Sequence, residues 1–544
     1  MLCTRALGGY KARSATIVSQ MLKSSGGIGA ATLTSRVLGL VREQVYAAFM
    51  GTSGIYGAFV YAYMIPNLFR RLLGEGALTA AFVPIFKAKE KTEGEPAMWQ
   101  ATNAVLSGLM AASAGLVLAA IGVVSLLLLA GSWQPETRLM LQLMRLMFPY
   151  LTLACVGAVF IAILNARGHF FIPALGAALL NLVMIASVLF LAPHMGRRLD
   201  TQIFALAIGV LVAGVAQALF QMPSLRAAGF RYRWVSPWHD PTVREVVARM
   251  VPSVLGVAAF QINVLVTQSL AFGKSGRIVG EFAYAVRLME LPQGVFGLSL
   301  ATFLLPTLAA LAVEKKFDQF RLTLRQASGH IIFVNLLASV LLVTLAAPIV
   351  RLLFQHGKFD AHSTERVSFA LVCLAPGLVC FSLVNIFARA FYALGDIVSP
   401  MRISIFCLAI NLLFAVVFLF GFNLGPGALG LANTLSSACN IGLLALALRK
   451  KMRRLEMKES AAQWPALAAI GLAAGLAAWT SQLLWQNHFG HASLGPRLGE
   501  VFLPMFLATA VYFGLSLWMK VGSARELLRL VAAWPAAKPA SDPT

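Results

Sequence analysis

Charged side chains occur inside an apolar stretch near the start of the chain, in TLTSRVLGLVRE at 32–43. Arg36 and Glu43 are seven residues apart and share nearly one face of a helix, while Arg42 is turned by about 120° from Arg36. An arginine at the centre of a membrane helix costs about 2.5–3.5 kcal/mol, and it persists where it faces a partner, a water-filled cavity or an anion. These residues are therefore candidates for binding a charged ligand.

Two further stretches combine arginine, glutamate, proline and glycine. In PNLFRRLLGEGALTAAFVP at 66–84, Arg71 and Glu75 are four residues apart and can pair along a helix, whereas Arg70 points about 100° away. In VRLMELPQGVFG at 286–297, Arg287 and Glu290 precede a proline and two glycines. We interpret the residues that accompany the candidate arginines as supporting ion pairs or gating residues, namely Glu43, Arg71, Glu75 and Glu290.

Several arginines together suit the recognition of phosphate, because the forked donors of a guanidinium match phosphate oxygens in two-point contact. Pyrophosphate is the candidate ligand for Arg36, Arg42, Arg70 and Arg287. The alternative is that these side chains form structural ion pairs or charges at the membrane rim. An intramembrane enzyme would need clustered carboxylates or a metal motif such as DxD or HExxH, and none occurs. The sequence therefore predicts no catalytic residue, no metal site and no cofactor, and it leaves ion or membrane-potential coupling open.

Composition places these residues in a membrane protein, because 59% of the residues are hydrophobic, 12% are charged and the mean hydropathy is +0.78. Apolar runs of roughly 20 residues or more match the length of a helix that crosses a bilayer. We predict an all-α polytopic membrane protein with about fourteen transmembrane helices. Their predicted limits are 24–48, 57–86, 99–131, 139–165, 169–193, 202–225, 243–272, 278–313, 320–352, 364–393, 400–421, 427–448, 462–486 and 498–520.

An internal repeat relates the two halves of the chain. The pattern of proline, glycine and proline occurs twice with the same intervals, at Pro149, Gly168 and Pro173 and again at Pro376, Gly395 and Pro400. Both copies join two apolar segments, which predicts two homologous six-helix lobes. Because each lobe has an even number of helices, the lobes would be related by an axis along the membrane normal and would meet at a central cavity. Asn181 and Asn411 lie in matching helices, and we interpret both as packing polar groups.

The predicted domain organisation follows from this repeat and from the basic breaks between helices. It comprises an N-terminal arm (1–23), an N-lobe (24–225), a linker (226–242), a C-lobe (243–448), a basic loop (449–461), two appended helices (462–520) and a tail (521–544). Lys and Arg concentrate in the arm, the linker, the basic loop and the tail, so the positive-inside rule predicts that both termini are cytoplasmic. The net charge of +23 is spread over these segments, which favours anionic membrane lipids as partners and not nucleic acid.

The charged motifs, together with LLP at 304–306, FQHGKF at 354–359 and ALGD at 393–396, make the chain resemble the bacterial MurJ (MviN) lipid II flippases of the multidrug/oligosaccharidyl-lipid/polysaccharide (MOP) exporter superfamily. The resemblance extends from about residue 24 to 520 and implies a flippase, not an enzyme. Such a protein moves undecaprenyl-pyrophosphate bearing a disaccharide-pentapeptide from the inner to the outer leaflet of the cytoplasmic membrane by alternating access. The arginines that match the family's cavity residues are Arg36, Arg42, Arg70 and Arg287.

The resemblance also implies a role for the appended helices, as a groove for the polyprenyl tail, and a monomer that works alongside the cell-wall synthesis machinery. This chain departs from the family pattern at three positions, with Gly57, Val286 and Glu43 where many relatives carry aspartate. The first two changes remove carboxylates to which coupling could be assigned. The sodium site of some relatives is not expected either, because predicted helices 11 and 12 contain no Asp or Glu. The competing hypothesis is another MOP-superfamily exporter, for a lipid-linked oligosaccharide or for drugs.

Overall fold

The structure, a computed structural model, describes residues 33–73, 77–294, 298–452 and 463–526, and within these ranges it is built of helices without a strand. The prediction of an all-α protein is thus confirmed. The chain divides into two compact units, one up to Leu265 and one from Val266, with the division inside a long helix. The finer domain boundaries stay predictions.

The helices of the first unit are short to medium in length, apart from one of 36 residues. They are α1 (33–50), α2 (Gly54–Leu73), α3 (Ala77–Thr92), α4 (Glu95–Ala130), α5 (Pro135–Met147), α6 (Tyr150–Ala166), α7 (Phe171–Ala186) and α8 (Leu199–Ala227). The long helix α9 (Pro241–Lys274) contains the division between the units. Buried apolar side chains of α3, α4 and α6 form the main core described for this unit.

The second unit continues with α10 (Gly276–Pro292), α11 (Leu298–Val313), α12 (Phe317–Thr344), α13 (Ala346–Phe354), α14 (Ala361–Leu374), α15 (Gly377–Ala393), α16 (Val398–Val416), α17 (Pro426–Met452), α18 (Trp464–Phe489) and α19 (Leu494–Trp518). One core joins α11, α12, α15 and α17. A second core joins the hairpin of α18 and α19 to α12, where an added Cβ at Gly475 would lie 3.2 Å from the Val340 side chain. The small residues of α18 therefore allow close packing of the C-terminal hairpin.

The predicted count of fourteen spanning helices is not confirmed. By length and composition, eight helices in the described ranges are long and apolar enough to cross a membrane, or up to ten if each of two bent pairs forms one span. The predicted segments 57–86 and 278–313 each contain two helices, with residues 74–76 and 295–297 outside the described ranges. Three of these four helices, α3, α10 and α11, have only 16 or 17 residues each, which is less than the roughly 20 residues of a spanning helix. The multi-pass membrane character itself is clear.

The repeat is visible in the backbone of each unit. Helices α5 and α6 form a pair bent by 41° at Pro149, and α14 and α15 form a pair bent by 41° at Pro376. Each pair ends in a left-handed glycine, Gly168 with φ +82° and Gly395 with φ +74°. In both turns the amide that follows the glycine donates to a carbonyl five residues back, at 2.8 Å in the first turn and 2.9 Å in the second. This is the Schellman geometry that ends many helices, and it explains why glycine recurs at this interval.

The turn after α15 also carries a carboxylate that is held in its charged form. Lys451 Nζ donates to Asp396 Oδ2 at 2.6 Å, and the backbone amide of Ser399 donates to Oδ1 at 2.9 Å. The hydrogen bond from Lys451 is the main reason why the pKa of Asp396 falls to about 2, with Ser399 as a second cause. The contact joins the start of α16 to the end of α17.

We expect Asp396→Asn to lower the free energy of unfolding by about 1–2 kcal/mol at neutral pH, because the charged form makes the stronger contacts. Since the pKa is depressed on folding, the contribution is complete above the unfolded pKa of about 3.9 and is lost as the pH falls through about 2. Thermal unfolding of the purified parent and variant at a series of pH values measures this. A difference between them that stays constant down to pH 2 would contradict the assignment.

Candidate functional site

The first candidate residues lie on an antiparallel pair formed by α1 and α2. The chain reverses at residues 51–53, where Gly51 has a φ of +58°. The Tyr46 ring on α1 lies 6.3 Å from both the Tyr56 and Phe59 rings on α2, in edge-on arrangements. These aromatic contacts fix the register of the two helices and therefore the level along the pair at which each arginine lies.

Arg42 is the most extensively held of the predicted arginines. Its Nη2 donates to Glu43 Oε1 at 2.5 Å, and its Nη1 donates to Asn181 Oδ1 on α7 at 2.9 Å. The guanidinium also lies over the Tyr46 ring, 5.5 Å from its centroid. Arg42 Nε is buried and has no hydrogen-bond partner within the described residues. The side chain is therefore charged, fixed on two sides and not fully satisfied.

Glu43 is buried and compensates this charge. Its second oxygen, Oε2, accepts a hydrogen bond from the Tyr56 hydroxyl at 3.3 Å, so the carboxylate connects α1 to α2. The predicted helix geometry placed Glu43 on the face of Arg36, but in the structure the carboxylate pairs with its immediate neighbour Arg42. An ion pair of this burial keeps its geometry only when further hydrogen bonds satisfy its remaining atoms, and Tyr56 and Asn181 supply them.

Asn181 was expected to be a packing group, and its role is larger than that. Besides accepting from Arg42, its Nδ2 donates to the carbonyl of Ser35 at 3.0 Å and to that of Ala177 at 3.2 Å. It therefore fixes α7 to α1 at two levels. The available signal in the sequence was an amide in an otherwise apolar helix, which indicates an interhelical hydrogen bond but not the identity of its partner. Asn411 donates to Asn433 Oδ1 at 3.1 Å and fits the packing interpretation.

Arg36 and Arg70 lie on the same hairpin, nearer its open end. Tyr63 is close to the Arg42 guanidinium, and Arg70 follows Tyr63 by seven residues on the same face of α2. Because the helices are antiparallel, Arg36, which precedes Arg42 by six residues, comes to about the level of Arg70. Arg70 Nε donates to Asn67 Oδ1 at 2.8 Å, whereas the Arg36 side chain makes no hydrogen bond or ion pair with any described residue.

The remaining predicted residues divide between the units. Arg71 is exposed on α2, and its predicted partner Glu75 lies outside the described residues, so that pair stays a prediction. In the second unit Arg287 Nη1 donates to Glu290 Oε2 at 2.8 Å, and both side chains are 46% exposed. Of the two departures that remove a carboxylate, Gly57 is buried in α2 and Val286 is half-buried in α10.

The arrangement can bind anions. In the first unit two turns of α1 and the end of α2 bring three guanidinium groups to one hairpin, with Glu43 as the buried counter-charge among the described residues. No nucleophile with an adjacent base lies among these residues. Within the described ranges, no three His, Cys, Asp or Glu side chains form a group that could hold a metal ion. What this hairpin offers is recognition of negative charge by fixed donors.

Comparison with known proteins shows the family to which the chain belongs. Residues 46–498 match the family model described as lipid II flippase MurJ. The chain is 33% identical over 442 residues to the probable lipid II flippase MurJ of Vibrio cholerae serotype O1, covering 79% of this chain and 83% of that protein. It is 33% identical over 429 residues to the lipid II flippase MurJ of Burkholderia cenocepacia, covering 77% and 82%.

Solved structures agree on the fold. An inward closed conformation of lipid II flippase MurJ superposes with a TM-score of 0.72 at 22% identity, covering 91% of this chain and 98% of that one. An inward-facing multidrug resistance MATE family transporter of the MOP superfamily gives 0.61 at 18% identity, covering 78% and 96%. At these identities the structures support the architecture alone. Because the family model and several relatives match most of its length, the chain belongs to the MurJ lipid II flippase family.

Proposed function

We propose that the chain is a lipid II flippase that moves undecaprenyl-pyrophosphate-linked peptidoglycan precursor from the inner to the outer leaflet of the cytoplasmic membrane. The observation that carries the proposal is the arginine hairpin of α1 and α2. There a buried guanidinium, Arg42, is held in place by Glu43 and Asn181 and still has an unused donor. Family membership supports the same substrate.

The pyrophosphate is the part of the substrate that the hairpin would recognise. Its oxygens accept two-point hydrogen bonds from guanidinium groups, and Arg36 offers a side chain with no partner among the described residues. Arg42 contributes a donor whose orientation is set in advance, which lowers the entropic cost of binding. Arg70, near the same level as Arg36, would contact the other phosphate.

Transport requires that the ligand bind two states of the protein differently. In the structure Glu43 pairs with Arg42, and Glu290 pairs with Arg287. A bound pyrophosphate would compete with these carboxylates for the guanidinium groups and so change the balance of charge in each unit. We propose that this exchange drives alternating access. The step involves no covalent chemistry, and it specifies no coupling to an ion gradient or to the membrane potential.

The C-terminal hairpin of α18 and α19 would accommodate the polyprenyl tail. Its inner side is packed on α12 through small residues, whereas large apolar side chains of its outer side are exposed, among them Leu472, Leu476, Phe502 and Phe506. Such a surface suits an isoprenoid chain and equally suits ordinary lipid. We further propose, from the family and from the basic loops, that the protein acts as a monomer beside the cell-wall synthesis machinery with both termini in the cytoplasm.

A depletion experiment tests the proposal. A bacterial host is depleted of its own lipid II flippase while it expresses the parent chain, Arg36→Ala or Arg287→Ala at matched membrane levels. We expect the parent to restore growth. In cells with either variant, the amount of lipid II accessible from outside should fall by at least about 90%, because each substitution removes a charge-assisted contact of about 1.5–3 kcal/mol. Cleavage by an impermeant enzyme specific for the exposed pyrophosphate link measures that lipid II.

Arg197→Ala is the matched control, since Arg197 is exposed in the turn before α8 and belongs to neither arginine cluster. It should restore growth as the parent does. Full activity of both Arg36→Ala and Arg287→Ala would exclude the arginine mechanism. Failure of a well-inserted parent would favour the alternative, an exporter of another lipid-linked oligosaccharide or of drugs.

A further inference from the structure

The segment of residues 228–240, which we call the strap, connects α8 to α9 and is packed against α4. Its Phe230 is 2% exposed and lies in the core of the first unit, with ring centroids 5.7 Å from Trp99 and 5.9 Å from Phe160. The strap was predicted to be part of a linker. Its anchoring by a buried aromatic residue shows that it has a fixed position on the first unit.

Hydrogen bonds along α4 hold the rest of the strap. Asn103 Nδ2 donates to the carbonyl of Arg231 at 3.1 Å, and the Ser107 hydroxyl lies 3.2 Å from the Tyr232 hydroxyl. The amide of Val235 donates to Ser107 Oγ at 3.4 Å. Pro237 then packs against Gly108, where an added Cβ would come within 3.0 Å of the proline ring. The anchoring residues all lie on one side of the strap.

The other side presents aromatic rings. Trp234 is 62% exposed and Trp238 is 69% exposed. Exposed tryptophans at this density are unusual for a segment with fixed backbone, because burial of an indole is favourable. Tryptophan and tyrosine are, however, enriched where a membrane protein meets the lipid headgroups.

Positive charge surrounds these rings and is not neutralised within the unit. The side chains of four exposed arginines make no hydrogen bond or ion pair with any residue in the described ranges, namely Arg226, Arg231, Arg233 and Arg244. The neighbouring acids are already engaged. Asp240 accepts from the amides of Thr242 and Val243 at the start of α9, and Glu245 pairs with Arg249 at 2.5 Å. The outer side of the strap therefore lacks an anionic partner.

We propose that the strap is a binding surface for the headgroups of anionic phospholipids. The arginines would contact headgroup phosphates, and Trp234 and Trp238 would insert at the level of the glycerol backbone. A membrane surface fits better than a soluble acidic protein, because the same short segment combines exposed indoles with arginines that have no partner among the described residues of a multi-pass membrane protein. The fixed backbone means that little ordering cost opposes binding. This inference stands independently of the transported substrate.

The test uses the full-length protein in phosphatidylcholine nanodiscs that contain a small fraction of phospholipid with a nitroxide at the headgroup, either as phosphatidylglycerol or as phosphatidylcholine. The fluorescence of Trp234 and Trp238 is obtained as the difference between the parent and Trp234→Phe/Trp238→Phe. We expect the anionic probe to quench this difference signal several-fold more than the zwitterionic probe. High salt should reduce the excess, since it screens exposed charges.

Charge variants test whether the stronger quenching by the anionic probe depends on the strap. Arg231→Gln/Arg233→Gln should lower the apparent affinity for the anionic probe about 30-fold, at about 1 kcal/mol for each arginine near the membrane surface and 1.4 kcal/mol per tenfold. The control Arg138→Gln/Arg197→Gln removes the same charge from two other exposed positions of the first unit and should leave the excess unchanged. Equal quenching by both probes, no quenching by either, or an excess that survives in Arg231→Gln/Arg233→Gln would overturn the proposal.

Discussion

Replacing Arg351 with methionine is expected to lower the free energy of unfolding of the second unit by about 3–5 kcal/mol. Arg351 Nη1 on α13 donates to Glu500 Oε1 on α19 at 2.7 Å, and the side chains are 15% and 1% exposed. Gln482 Nε2 on α18 also contacts Oε1, at 3.3 Å. Without Arg351 the buried Glu500 carboxyl group would retain only the weak contact from Gln482 among the described residues. The C-terminal hairpin would then lose its polar attachment to α13.

The double variant Arg351→Met/Glu500→Leu distinguishes the cost of leaving one buried group unpaired from the cost of losing the ion pair itself. Since it leaves no unpaired charge, it should recover to within about 1–2 kcal/mol of the parent, while Glu500→Leu alone should be as destabilised as Arg351→Met. Denaturant unfolding in one detergent measures the free energies of unfolding of the purified parent, the two single variants and the double variant. If the losses in free energy of unfolding of the two single variants add in the double variant, the ion pair between Arg351 and Glu500 does not stabilise the packing of the hairpin on α13.

This pair illustrates what the sequence could not predict. Helix content, the two proline bends and the two glycine turns follow from local rules, since apolar periodicity, a fixed proline φ and the left-handed freedom of glycine act within a few residues. Arg351 and Glu500 are 149 residues apart, and Arg366 and Glu281, which form a two-point ion pair, are 85 apart. Their pairing depends on which helices pack together, and a single sequence carries no local signal for that.

The same distinction holds at the candidate site. The proximity of Arg287 to Glu290 was evident from the sequence, since the two residues are three apart on one helix. The contact of Arg42 with Asn181 spans 139 residues and could not be predicted. The expected count of about fourteen spanning helices stays a prediction, because eight to ten helices in the described ranges satisfy length and hydropathy and two predicted segments are interrupted by residues outside those ranges.

Arg42→Ala is expected to abolish complementation of a flippase-depleted host, with a loss of transport of at least about 100-fold. The estimate corresponds to two charge-assisted hydrogen bonds of about 1.5–3 kcal/mol each that the guanidinium would donate to the pyrophosphate. Arg42→Lys keeps the charge but lacks the fork that reaches two acceptors at once, so its activity should lie between those of the parent and of Arg42→Ala. The measured quantity is again lipid II reachable from outside the cell.

Loss of activity in Arg42→Ala could also arise from misfolding, because Glu43 would be left buried without its cation. Arg42→Ala/Glu43→Gln removes that charge, while the glutamine can still accept from the Tyr56 hydroxyl. It should therefore reach the membrane at the level of the parent and yet fail to transport. Transport at the level of the parent would show that Arg42 serves only to neutralise Glu43. If this double variant inserts normally and has the free energy of unfolding of the parent but does not transport lipid II, the guanidinium itself is required. This is the result expected if Arg42 binds the pyrophosphate.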